Sequence, residues 1–364
     1  MHCVDQHSEP HAASSQRNPP TGPGMLLNTR FNKKHLLLVL VLCCILMSLQ
    51  KMLMFPLLGT EMKTNITILL WYWPFQVPYR LEDDVCLKNY SISGCRLVDD
   101  RTLFSTADIV VYHQYELKVG SQKLPLHLPR PVHQRWLWLS LEAPIHNGDV
   151  SQYARLFNLT MSYHPDADIV VPYGKIDEKV GGTDGTFVMP ENKIHLACWV
   201  VSNYGNHHKR TSVYKQLSKL VSVQVYGRAA RKPVSQSALL PTISRCYFYL
   251  AFENTESAHY ITEKLWRNAF MAGTVPVVLG PPRSHYEAVA PPHSFIHVDD
   301  FDSIASLAKF LTELAGNVKL YKSYFSWHEK YTVKLYTDWR ERLCNICRVY
   351  DKLPYHKMYH KLGA

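Results

Sequence analysis

No internal repeat and no long low-complexity tract occurs in the 364 residues, so a solenoid or array does not account for the chain, and its length suits two domains of ordinary size. Acidic residues are in deficit. Thirty Asp and Glu stand against 40 Lys and Arg, for a formal charge of +10; four Lys/Arg against two Asp/Glu before residue 35 leave +8 of it beyond that point. Such an excess suits an anionic partner, whether a nucleotide, a sialylated sugar or a membrane surface, or is simply a solvated face. A second cysteine pair at zinc spacing is also missing. Cys344 and Cys347 form a lone C-x-x-C, which points to structural bridging and away from a four-thiolate metal site or a redox pair.

One stretch is long and apolar. Residues 36–49 read LLLVLVLCCILMSL, and MLMFPLL extends the run after Lys51; a short or tilted helix of that length spans a thin bilayer. Arg30, Lys33 and Lys34 precede it, and the side bearing Lys and Arg stays cytoplasmic. No small-residue cleavage site follows, so the run is expected to be an uncleaved signal anchor in preference to a removed signal peptide. Residues 1–24, rich in Pro, Ser and His, read as disordered, and Met25 is an alternative start. The bulk of the chain then faces a lumen, which excludes nucleic acid as a partner. In that compartment Asn65, Asn89 and Asn158 each head a glycosylation triplet, and with Cys3, Cys43 and Cys44 in the tail or anchor, six cysteines remain for disulfides.

Apolar runs of strand composition recur at 66–73, 109–112, 135–142, 194–201, 223–227, 246–253, 274–280 and 294–298. Several are apolar on both faces, as parallel strands covered by helices are. HHKRTSVYKQLSKL, ITEKLWRNAFMAG and SIASLAKFLTEL carry helical patterns between the later runs. The alternation predicts an α/β fold of two domains facing across a cleft, with ligands at the carboxyl ends of strands. GKIDEKVGGTDGTFVM, between Tyr173 and Pro190, reads as a flexible connection.

Three places carry chemistry. Glu142 closes the apolar run QRWLWLSLE just before Ala143-Pro144, where a carboxylate stands at a cleft mouth as a candidate general base or is merely the first solvated residue. In ITEKLWRNAFMAG, Thr262 is placed to cap a helix whose first turn holds Glu263 and Lys264, with Gly273 as its stop. Such a start suits a diphosphate, although a surface Glu-Lys pair gives the same pattern. After IHLACWVV come Ser202 and Asn203, then Arg210 at a second basic helix start. Asp166-Ala167-Asp168 has the form by which some glycosyltransferases hold manganese, yet it leads into an apolar run and reads as structural.

The stretch FYLAFENTESAHYITEKLWRNAFMAGTVPVVLGPPRSHYE, with RWLWLSLEAP, FNLTMSYHPDADIVVPYG, CWVVSN and TDWRERLCNIC in order, resembles the Golgi α1,3-fucosyltransferases over residues 66–350. LYTDWRERLCNIC and KLPYHKMY are most similar to the branch that makes sialyl Lewis x on leukocyte glycans. The resemblance implies an inverting enzyme of GT-B type using GDP-fucose without an essential metal. It implies a cytoplasmic tail (1–34), a signal anchor (35–58), an acceptor domain (59–185), a donor domain (186–350) and a C-terminal tail (351–364), in a single-pass type II Golgi membrane protein. Glu142 matches the family's base, and Arg210 and Lys264 match groups on the diphosphate. Tyr260, Glu263, Asn254, Ser202 and Asn203 fall in donor blocks, and Tyr115 stands where an Arg or Trp sorts acceptor isomers. Cross-pairing of Cys86 with Cys344 and Cys95 with Cys347 is implied, with Cys198–Cys246 as the third bridge. Expected partners are GDP-fucose, sialylated or neutral lactosamine glycans and, optionally, a second copy of the chain. A metal-dependent transferase and a catalytically silent luminal lectin are the rival readings.

Overall fold

The computed structural model describes residues 41–45, 47, 65–82, 84–179 and 187–362. The chain divides into two units, 1–61 and 62–364. In the first unit residues 41–45 and 47 are helical and exposed; the rest of the expected tail and anchor lies outside the described residues. No helix among the described residues is long and apolar enough to cross a membrane.

The second unit is built on two parallel sheets. One contains β1 (Ile66–Leu70), β2 (Cys95–Val98), β3 (Ile109–His113), β4 (Arg135–Leu139), β5 (Leu159–Ser162) and β6 (Ile169–Val170) in the order β2-β1-β3-β4-β5-β6. The other contains β8 (His195–Val200), β9 (Val223–Tyr226), β10 (Cys246–Phe252), β11 (Val275–Leu279) and β12 (Ile296–His297) in the order β12-β11-β10-β8-β9. Every position of β3, β4 and β11 is buried, which is why these strands read as unbroken apolar runs. The shorter β2 and β5, with alternating burial, were not expected from the sequence.

The connection between Tyr173 and Pro190 is ordered at its start. Gly174–Glu178 forms β7, antiparallel to β13 (Tyr331–Leu335). At Gly174 a Cβ would lie 2.6 Å from Trp266 Cγ, so the absence of a side chain lets this strand pass against the indole.

The chain end is not a separate tail. Leu343, Cys344, Ile346, Tyr350 and Leu353 pack with Ile66, Ile68 and Leu70 on one face of the first sheet, while Leu362 packs with Trp71 and Trp138 on the other. Residues 339–362 thus belong physically with the first sheet, not with the donor domain and tail to which 339–350 and 351–364 were assigned. Two disulfides fasten them there: Cys86–Cys344, with Cα atoms 5.4 Å apart, and Cys95–Cys347, at 5.9 Å. The third, Cys198–Cys246, joins neighbouring strands of the second sheet.

Candidate active site

Glu142 lies just beyond β4 on a loop held from several sides. Ser140 Oγ donates to Asn147 Oδ1 at 2.7 Å, Gln114 Nε2 to the Asn147 carbonyl at 3.0 Å, and Tyr173 OH to the Leu141 carbonyl at 2.7 Å. The carboxylate itself is half-buried and accepts from Tyr260 OH at 3.2 Å. Tyr260 comes from the loop after β10, so the carboxyl ends of the two sheets meet here. His146 Nε2 and Thr255 Oγ1, 2.7 Å apart, make a second contact between these loops. The Tyr260 ring packs on Tyr163 and Tyr173. Burial first, then Tyr173 and Glu142, push the phenol well above its ordinary range, which keeps it a donor.

Lys264 is half-buried, and its ammonium donates to Glu253 Oε2 at 2.9 Å and to Thr262 Oγ1 at 2.7 Å. Glu263 Oε1 lies 3.4 Å away on a more exposed side chain. Burial pulls the Lys264 ammonium down, but Glu253 and then Glu263 more than offset it and hold it above its usual range. Glu253 is the residue that sequence reasoning passed over. Its side chain is 1 % exposed, and it accepts from the Thr262 amide at 2.8 Å and the Thr262 hydroxyl at 2.9 Å. Burial pushes its carboxyl up, and Lys264 opposes without cancelling the effect.

The expected Thr262 cap is therefore absent, because its hydroxyl serves Glu253. The helix that follows is π-helical over Lys264–Phe270, with the Met271 amide reaching back five residues to the Trp266 carbonyl. Such bulges re-aim side chains near functional sites. Gly273 turns the chain at φ +64°.

Arg210 opens the Lys209–Leu217 helix and is 4 % exposed. Its Nη1 donates to the Phe252 carbonyl at 3.4 Å and its Nη2 to the Asn203 carbonyl, while Nε is buried without a partner. Burial lowers its proton affinity, and Glu253 and Tyr260 oppose that from nearby. No carboxylate pairs with it among the described ion pairs, so its charge is less compensated than that of Lys264. Asn254 Oδ1, just past β10, is likewise buried and unpartnered among the described residues. Ser202 and Asn203 are exposed beyond β8.

The other expected residues separate. Tyr115 is 41 % exposed and packs beside Phe75, with centroids 5.2 Å apart. Asp168 accepts from the Thr160 amide at 2.8 Å, Lys357 Nζ at 2.7 Å and Tyr359 OH at 2.8 Å, whereas the Asp166 side chain is 90 % exposed. The Asp166-Ala167-Asp168 pair is thus split between solvent and a structural anchor. Asn65 and Asn89 are exposed, but Asn158 is 8 % exposed, its Oδ1 accepts the Trp136 amide at 2.9 Å and its Nδ2 donates to the Lys357 carbonyl at 3.0 Å. The Asn158 side chain, expected as a glycosylation acceptor, is thus largely buried and bonded to backbone on both sides.

Two family models match the chain: "Fucosyltransferase, N-terminal" over residues 63–174 and "Glycosyltransferase family 10 (fucosyltransferase) C-term" over 190–364. The bovine protein named alpha-(1,3)-fucosyltransferase 7 is 46% identical over 297 residues, covering 81% of this chain and 84% of that protein. Its human counterpart is 45% identical, at 82% and 85% coverage. The rat 4-galactosyl-N-acetylglucosaminide 3-alpha-L-fucosyltransferase 9 is 43% identical, at 84% and 82%. A crystal structure of an alpha1,3-fucosyltransferase with GDP-fucose superposes with a TM-score of 0.54, 16% sequence identity and coverage of 84% of this chain and 95% of that one, a likeness of fold.

Proposed function

The chain belongs to glycosyltransferase family 10, the fucosyltransferases, and from that premise we propose that it moves L-fucose from GDP-fucose, with inversion, to O3 of GlcNAc in α2,3-sialylated lactosamine, making sialyl Lewis x. It is an α1,3-fucosyltransferase. The two parallel sheets are read as the Rossmann-like halves of a GT-B fold, with the donor on the second and the acceptor on the first. Residues 35–58 are read as the anchor of a Golgi membrane protein whose second unit is luminal.

One observation supports the chemistry most strongly: Glu142 accepts from Tyr260, whose phenol also lies within electrostatic reach of Arg210. In the reaction the acceptor hydroxyl loses its proton to the Glu142 carboxylate as its oxygen bonds to fucose C1, and the opposite C1–O bond breaks to release GDP. The Tyr260 hydrogen bond orients the base. Arg210 supplies positive charge where the diphosphate departs, the role a divalent metal fills in other transferases. Asn254 Oδ1, an acceptor with nothing bound to it, suits a donor hydroxyl.

The acceptor is tested by competition. Full-length chain in detergent, supplied with GDP-fucose and equal concentrations of α2,3-sialylated and neutral lactosamine, is expected to fucosylate the sialylated one. Preference for the neutral acceptor would overturn the sialyl half of the reading, and absence of transfer to either would overturn the whole.

A further inference from the structure

Beside Glu142 lies a cavity of about 280 Å³ whose opposite wall is built by the chain end. Trp138, Tyr163 and Tyr359 supply aromatic surface, and Ser140, Asn147 and Ser162 supply polar groups suited to sugar hydroxyls. Because the candidate base opens into it, the cavity is where an acceptor must place the rest of its glycan.

Its charges are unevenly spent. Lys357 is bonded to Asp168, which neutralises both. Asp166 turns its carboxylate to solvent, 3.6 Å from the His164 ring, and Glu142 is engaged with Tyr260 and reserved for the acceptor proton. Lys361 also lines the cavity. It is exposed and has no ion-pair or hydrogen-bond partner among the described residues. Its backbone is nonetheless held, since the neighbouring Leu362 is 2 % exposed in the core and the Tyr359 amide donates to the Phe157 carbonyl at 2.9 Å.

We propose that this cavity is the subsite for the acidic sugar of the acceptor and that Lys361, delivered by the returning chain end, is the residue that pairs with the sugar carboxylate and sets the preference for a charged acceptor. The proposal rests on the sialylated-acceptor reading above and adds the group responsible for it. A charge-assisted contact of this kind acts on ground state and transition state alike, so its loss raises KM and leaves kcat in place.

The test measures initial rates of full-length wild type and Lys361→Gln with three acceptors: α2,3-sialyl-lactosamine, the same compound with its carboxylate converted to an amide, and neutral lactosamine. Lys361→Gln is expected to raise KM for the sialylated acceptor about 5- to 10-fold with kcat within roughly twofold. KM for the amide and neutral acceptors should be unchanged by the substitution, so the lysine and the carboxylate are coupled. A wild type that prefers the sialylated acceptor, with Lys361→Gln retaining its KM, would overturn the Lys361 assignment alone. A rise in KM for all three acceptors would assign Lys361 a general role in shaping the cavity and also overturn it. A wild type that favours the neutral chain would instead remove the acceptor reading and this proposal with it.

Discussion

Buried Glu253 and half-buried Lys264 form a pair whose two members both bind protons more tightly than usual. With both ionised, the pair contributes no net charge to the site proposed for the diphosphate, and Glu263 subtracts one more. A proton on Glu253 would release the Lys264 charge toward the donor. Glu253→Gln imitates that state in charge, keeping one carbonyl oxygen for the Thr262 amide or the Lys264 ammonium while removing the negative charge. Calorimetric titration with GDP should show affinity equal to or tighter than wild type for Glu253→Gln, and about 10-fold or more weaker for Glu253→Ala, which leaves the ammonium unplaced. If both substitutions weaken GDP alike, the carboxylate charge itself is needed. Glu142 stands out as a candidate because an acid closes an apolar strand before a turn. Glu253 closes CYFYLAF in the same manner, but Glu263 and Lys264 are the more conspicuous neighbours, and sequence adjacency says little about which carboxylate an ammonium reaches across a loop.

At the scale of elements, the long apolar strands were legible because burial on both faces leaves an uninterrupted signal. The weak β2, β5 and β7 were not, being short, half-polar and dependent on partners elsewhere in the chain. The pairing of β7 with β13 links residues more than 150 positions apart, a contact no local pattern encodes. A short helix-turn segment, Ser326–Glu329, packs beside β13 and carries a testable titration. The His328 ring stacks between Phe187 and Trp327, each with centroids 3.6 Å away, and its Nε2 is buried without a partner. Burial, then Lys179, depresses its proton affinity from 6.5 to about 4. A histidine with a depressed folded value stabilises the fold above about pH 6.5, and that contribution is lost as pH falls toward about 4, because the unfolded chain takes up the proton first. Tm should therefore drop across this window in wild type and drop less in His328→Asn, as followed by thermal melts at pH 7, 6, 5 and 4. Equal slopes for the two proteins would remove His328 from the account.

For the whole molecule, the two sheets place their strand ends against each other so that the Glu142 carboxylate from one meets Tyr260 from the other, and the chain end returns to complete the first. The cross-paired cysteines implied that return as far as Cys347, but no pattern implied the course of residues 352–362. KLPYHKMYHKLGA has neither the length nor the periodicity of an element, and its order derives from Asp168, Asn158 and the apolar seat of Leu362. The assembled molecule is expected to catalyse transfer through side chains and without a bound metal. The most direct test gives full-length protein GDP-fucose and α2,3-sialyl-lactosamine in excess EDTA, and reads the product linkage by NMR for wild type and Glu142→Gln. Wild type is expected to form α-linked fucose on O3 of GlcNAc, and Glu142→Gln to form it at least about 100-fold more slowly with GDP affinity retained. A β-linked product, activity restored only by manganese, or near-normal turnover by Glu142→Gln would contradict this mechanism.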